Sequence, residues 1–143
     1  MTTYEADIRA LLESRVEASR SKDIDRLMSH YSDDIVYYDA VPPLQFTGPD
    51  EVRANFLRWF GEYEGPIGLE THALTVASTD ADIAFAHMLH LDSGTRKNGM
   101  NMGIWVRSSV CFRRSDDRWL ITHEHISLPI DPKTLQAWLP PGM

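Results

Sequence analysis

The segment WLITHEHISLP, residues 119–129, places two imidazoles and a carboxyl within three positions. Such a triplet could hold a metal ion or form an acid–base pair. In an extended strand, side chains alternate between faces. Trp119, Ile121, His123, His125 and Ser127 then share one face, and Leu120, Thr122, Glu124, Ile126 and Leu128 the other. Glu124 points away from both histidines, which argues against a direct His–Glu dyad. His123 and His125 could ligate together, but a zinc or iron site needs a third ligand, usually at matched spacing. The chain carries neither HExxH nor a second His–X–His, so no metal and no other cofactor is expected.

Three further residues could do chemistry beside a cavity. Asp39 ends the β-rich run DDIVYYDAVPP and either holds a turn or serves as a general base. His87 lies in DIAFAHMLHLD among Ile83, Phe85, Leu89 and Leu91 at alternate positions, as a core histidine or a ligand-facing one. Arg107 lies in GMNMGIWVRSSVCFRR. It could clamp a carboxylate or enolate bidentately, or pair with Glu124 on the neighbouring strand and bind nothing.

The even positions of that strand, Met100, Met102, Ile104, Val106, Ser108, Val110 and Phe112, are apolar almost throughout. Its odd positions mix Trp105, Arg107, Ser109, Cys111 and Arg113. Two arrangements fit. Either the apolar face meets the helices and the mixed face meets water, or the apolar face meets another subunit and the mixed face lines a pocket. Periodicity does not choose between them.

The elements that must position these residues follow from pattern. Ile8, Leu11, Leu12 and Val16 recur at helical spacing. Asp23 is placed to cap a short second helix bearing Ile24, Leu27, Met28 and Tyr31. Residues Ile35 to Tyr38 read as a strand that Pro42–Pro43 terminates. A third helix begins at Pro49, leaves at Gly61 and presents Val52, Phe56, Trp59 and Phe60 on one face. Strands follow in two hairpins, turned by Thr79-Asp80-Ala81-Asp82 and by Ser115-Asp116-Asp117. Helices followed by antiparallel strands predict an α+β domain with one curved sheet wrapped around the helices.

The chain has 143 residues, which favours one domain over 1–143 with a C-terminal arm at about 130–143. Its net charge of −7 argues against nucleic acid and anionic membranes as partners. The single cysteine, Cys111, rules out an internal disulfide and reads as a buried structural thiol. No apolar run approaches a membrane span and the start is charged and amphipathic, so a cytoplasmic location is expected.

The order of these pieces, with TGPDEVRANF and the closing pair WVRSS and RRSDDRWLITHEHISLP, resembles the NTF2-like superfamily, in particular its SnoaL-like or DUF4440-type members, over essentially the whole chain. The resemblance implies a cone closed by helices around a pocket and dimerised through the outer face of the sheet. It turns Trp105, Arg107 and Ser109 inward. Ketosteroid isomerases share the cone, and Asp39 falls on the position of their general base. Their oxyanion donors are missing, since the matching positions look like Arg15 and Ser109 or Val110. Losing one such donor typically costs about 10²–10³ in rate, so steroid isomerisation is not expected. The association domain of calmodulin-dependent kinase II ends similarly, yet its cavity arginines match His87, Ser109 and Ile126 here.

Three functions are compatible with this reading. One is a small-molecule binding protein, with Tyr37, Trp59, His87, Trp105, Arg107, Ser109 and Glu124 facing the ligand. Another is a cofactor-independent isomerase, dehydratase or cyclase of a small carbonyl compound. In it Asp39 abstracts a proton, and His87 or Arg107 stabilises the oxyanion. The third is an assembly module acting through a homodimer interface.

Overall fold

The computed structural model describes residues 3–78 and 80–140. Helix α1 (Thr3–Arg20) and the short α2 (Ile24–Met28) precede strand β1 (Tyr31–Tyr38). Strand β2 (Phe46–Thr47) leads into α3 (Gly48–Phe60), and β3 (Tyr63–Ser78), β4 (Ile83–Arg96), β5 (Ile104–Ser115) and β6 (Arg118–Ser127) complete the fold. Capping follows the sequence. The Asp23 side chain accepts from the Arg26 amide at α2, and α3 has proline in its first turn and Gly61 at its exit.

The six strands form one sheet in the order β2-β1-β6-β5-β4-β3. All neighbours are antiparallel except β1 and β6, which run parallel. The β5–β6 turn consists of Asp116 and Asp117, both at positive φ, as the favoured two-residue hairpin requires. In the β3–β4 turn the Asp80 carboxylate accepts from the amides of Asp82 and Ile83 at 2.7 and 2.8 Å. Thr79, which the sequence placed in this turn, lies outside the described residues.

The inner face of the sheet packs against α1 and α3. Ile8, Leu11 and Leu12 from α1 and Val52, Phe56 and Phe60 from α3 meet Val110, Phe112, Trp119 and Ile121, all buried. Fully burying side chains of this size contributes about 1.5–3 kcal/mol each. The apolar even positions of β5 face this core from Val106 to Phe112, so the apolar face of β5 meets the helices, as in the first of the two arrangements. Strand β5 starts only at Ile104, and Met100 lies before it, substantially exposed.

Alternation is broken once in β6. Cys111 pairs with His123, but the next residue, Phe112, pairs with Ile121. Thr122 is therefore an extra residue in a β-bulge. Trp119 and Ile121 point inward before the bulge, and Glu124 points inward after it.

The C-terminal arm turns back on itself through an Ile130–Ala137 bridge and leaves Ile130, Leu135 and Trp138 largely exposed. Residues 141–143 of the expected arm lie outside the described residues. Among the described residues no helix is long and apolar enough to cross a membrane.

Candidate functional site

A cavity of about 170 Å³ opens between α1, α3 and the inner face of the sheet. Leu27, Phe56, Leu69, Ile104, Val106 and Ile126 supply its apolar walls.

The floor is a closed polar network. Arg15 of α1 and Glu124 of β6 are both buried, with Nη1 and Oε1 2.7 Å apart. The Tyr31 hydroxyl donates to Oε1 of Glu124 at 2.6 Å, and the Tyr37 hydroxyl to Oε2 at 3.4 Å. Burial lowers the proton affinity of the Arg15 guanidinium, but Glu124 more than restores it, leaving its pKa above the ordinary arginine value. Burial, reinforced by the Glu124 charge, raises the pKa of both phenols well above the ordinary value. A buried pair survives when hydrogen bonds satisfy its remaining valences, and the two tyrosines do this here.

His90 completes the floor. Nη2 of Arg15 lies 3.2 Å from its Nε2. A guanidinium can only donate, so Nε2 is the acceptor and the proton sits on Nδ1, which donates to Thr71 Oγ1 at 3.2 Å. Burial and the Arg15 charge push the His90 pKa down to about 3, and the ring stays neutral. Both ring nitrogens and the Glu124 carboxylate are thus already engaged.

The mouth is different. Asp39, just after β1, accepts from Asn55 Nδ2 at 2.7 Å and from the Ala40 amide at 2.6 Å, with Arg58 Nη2 3.9 Å away. Asp92 of β4 also lines the cavity, with Trp59, Glu62 and Arg96. Burial raises the Asp92 pKa to about 7. The Asp39 and Glu62 charges add to the rise, and Arg96 and Trp59 oppose it.

Of the residues singled out from sequence, Tyr37, Asp39, Trp59 and Glu124 line this cavity. His87, Trp105, Arg107 and Ser109 do not: their strand positions belong to the outer face, whose burial pattern is opposite to that of Ala86, Val106, Ser108 and Val110. The inward orientation implied by the resemblance is thus corrected. The physical reason is packing volume, because Phe112, Val110 and Met88 fill the space beneath the helices. His87 is exposed and is neither a core nor a cavity histidine. Arg107 donates from Nε to Ser127 Oγ at 3.1 Å, and it is Arg15, not Arg107, that pairs with Glu124. Trp105 packs at a tilt against His72, with ring centroids 4.9 Å apart. Cys111 is likewise exposed rather than buried, as an odd position of β5.

His123 and His125 point outward and pack edge-on against Tyr38 at 4.8 and 5.4 Å. Nδ1 of His123 donates to the Val36 carbonyl at 2.7 Å. Among the described residues no group of three or more His, Cys, Asp or Glu is placed to hold a metal ion.

Sequence reasoning missed Tyr31, His90 and Asp92 as cavity residues, and named Arg15 only as standing where the resemblance puts an oxyanion donor. A charged residue in register with Leu11 and Leu12 on the apolar stripe of α1 was the available signal for Arg15. His90 and Asp92 were signalled by sharing the small-residue parity of β4 with Ala84 and Ala86.

A family model described as a SnoaL-like domain matches residues 8–131. Among solved structures, an NTF2-like protein of unknown function from Pseudomonas putida KT2440 is 34% identical, covers 97% of this chain and 96% of its own, and superposes with a TM-score of 0.88. A ketosteroid isomerase-like protein from Erwinia carotovora atroseptica SCRI1043 is 23% identical over 89% of this chain and 97% of that one, with a TM-score of 0.77. The association domain of C. elegans CaMKII is 16% identical over 87% and 95%, with a TM-score of 0.69. At these last two identities the likeness is one of fold. No curated protein matches the chain. By the extent of the family match and the arrangement of helices over a curved sheet, the chain belongs to the SnoaL-like domain family, within the NTF2-like superfamily.

Proposed function

We propose that the chain binds a small organic molecule in the cavity beneath α1 and α3. The supporting observation is an apolar-walled hollow whose floor groups are all engaged with one another while carboxyl groups remain at its mouth. Apolar walls with polar groups gathered at the floor and mouth suit a pocket that orients its guest.

A second reading, acid–base catalysis on a small carbonyl compound, is favoured by Asp39. Its carboxylate lines the cavity and is held in place by Asn55 and the Ala40 amide. A carboxylate fixed beside an apolar wall suits proton abstraction from carbon. The oxyanion roles of His87 and Arg107 are not proposed, because both side chains lie on the outer face. The test is exchange of α-protons of cyclohexanone into deuterated buffer, followed by NMR. Catalysed exchange that falls by about 10²-fold or more in Asp39→Asn supports catalysis. Binding without exchange leaves the first reading standing, and neither binding nor exchange sinks both.

Self-association through the outer face of the sheet, as a homodimer, is favoured by one observation. Ile83, Phe85 and Leu89 stand 46%, 44% and 39% exposed along a single strand face, an apolar stripe of the kind that marks an interface. Sizing chromatography of the protein and of Phe85→Arg tests it. A dimer that becomes a monomer is expected, and a monomeric parent protein would overturn it.

A further inference from the structure

We propose that Asp92 is the hydrogen-bond donor that recognises a ligand oxygen, so that the cavity takes small neutral carbonyl compounds rather than carboxylates. This inference rests on the ligand-binding reading above.

The geometry starts with register. On β4, Asp92 lies two residues beyond His90 and on the same face. Its partner across β3 is Leu69 and its partner across β5 is Ile104, and both are cavity walls. The carboxyl is therefore flanked on either side by hydrocarbon. Such an environment disfavours the charged form of a carboxyl group.

The charged surroundings say the same. Arg96 faces Asp92 from β4 itself, Tyr63 from β3, Glu62 from the end of α3, and Asp39 from the end of β1. β5 offers only the apolar Ile104. Both guanidinium groups at the mouth already have other partners. Arg58 contacts Glu62, Asn55 and Asp39, and Arg96 reaches Glu62 at 3.3 Å while lying over the Tyr63 ring.

A charge count over the cavity lining then decides the ligand class. The lining holds three guanidinium groups, of Arg15, Arg58 and Arg96, and four carboxyl groups, of Asp39, Glu62, Asp92 and Glu124. With Asp92 protonated and His90 neutral, the two sets balance. An incoming carboxylate finds each guanidinium already beside a carboxylate and would have to be desolvated beside Asp39. A neutral carbonyl oxygen finds an acidic O–H to accept from. At a pKa of about 7, this donor is present in neutral solution and lost above it.

The test follows the Asp92 carboxyl carbon by NMR in the intact protein, together with cyclohexanone binding read from the Trp59 indole N–H resonance. Three results are expected. An aspartate carboxyl titrates near neutrality, is absent in Asp92→Asn, and moves to lower pH in Asp39→Asn as the like charge is removed. Cyclohexanone affinity falls about 100-fold between pH 6 and pH 9, since only the protonated fraction is competent. In Asp92→Asn, whose amide donates at every pH, this dependence disappears while binding at pH 6 is retained. If Asp92 titrates in the ordinary carboxylate range, or if affinity is the same at pH 6 and pH 9, the inference is overturned while the pocket reading stands. If cyclohexanone binds at neither pH, both fall. Acetate binding more tightly than cyclohexanone at pH 6 would also overturn the ligand class.

Discussion

The floor and the mouth of the cavity hold the same kinds of side chain and use them oppositely. On the floor, Arg15, Glu124, Tyr31, Tyr37 and His90 satisfy one another. At the mouth, Asp39 and Asp92 share a small volume with each other and with Glu62. The floor is built like structure and the mouth like chemistry. The difference comes from donor arithmetic: Glu124 receives one guanidinium and two phenols, whereas Asp92 lies between Leu69 and Ile104 with the Trp59 indole as its hydrogen-bond donor.

Breaking the floor has the largest expected effect. Glu124→Ala leaves Arg15 charged, buried and unpaired, at an expected cost of about 3–5 kcal/mol in denaturant unfolding. The double change Arg15→Met with Glu124→Leu is expected to recover most of that loss, because no orphaned charge remains. A single-variant cost near that of a surface substitution would show that the network is not a closed unit.

The next effect is a pH slope. His90 is neutral when folded, with its pKa pushed to about 3, while an unfolded histidine titrates at the ordinary value of 6.5. Its contribution is therefore intact above pH 6.5 and lost as pH falls toward 3, since the unfolded chain binds the extra proton. His30, depressed to about 4 by burial and by Arg15, Arg118 and Arg26, acts in the same direction. The expected loss from His90 is about 3 kcal/mol by pH 4, and His90→Gln should flatten that part of the slope. Unfolding free energies across this pH range give the comparison. Substitution at the mouth is expected to matter least for folding. Asp39→Asn keeps an acceptor for one of its two donors, Asn55 or the Ala40 amide, and should shift stability by less than about 1 kcal/mol, even where it abolishes proton exchange.

The frame of the molecule was legible because several levels of the sequence agree. Apolar spacing, the Asp23 cap, Pro49, Gly61 and the paired Asp turn residues all point to the same elements. Asp39 could be located because a strand ends there and prolines follow. The inner face of the sheet was harder to identify. On β4 the large residues Ile83, Phe85 and Leu89 suggest a core face, yet the buried positions are Ala84, Ala86, Met88 and His90. Size misleads where aromatic residues from β5 and β6 already fill the interior and the large side chains of β4 are left to cover the opposite surface. Strict alternation also fails in β6, because nothing in ITHEH announces an extra residue.

That extra residue gives the site a discrete sensitivity. Thr122 acts as a half-period offset between the two ends of β6. If β6 instead ran through Thr122 in strict alternation while the Trp119 end kept its place, the next inward-facing slot after Ile121 would pass from the carboxylate of Glu124 to the imidazole of His123. Flattening the bulge would thus change an Arg-binding floor into a histidine-lined one without altering any residue, whereas deleting Thr122 would leave Glu124 inward. In this scaffold the identity of the deepest polar group depends on a local backbone offset as much as on residue type.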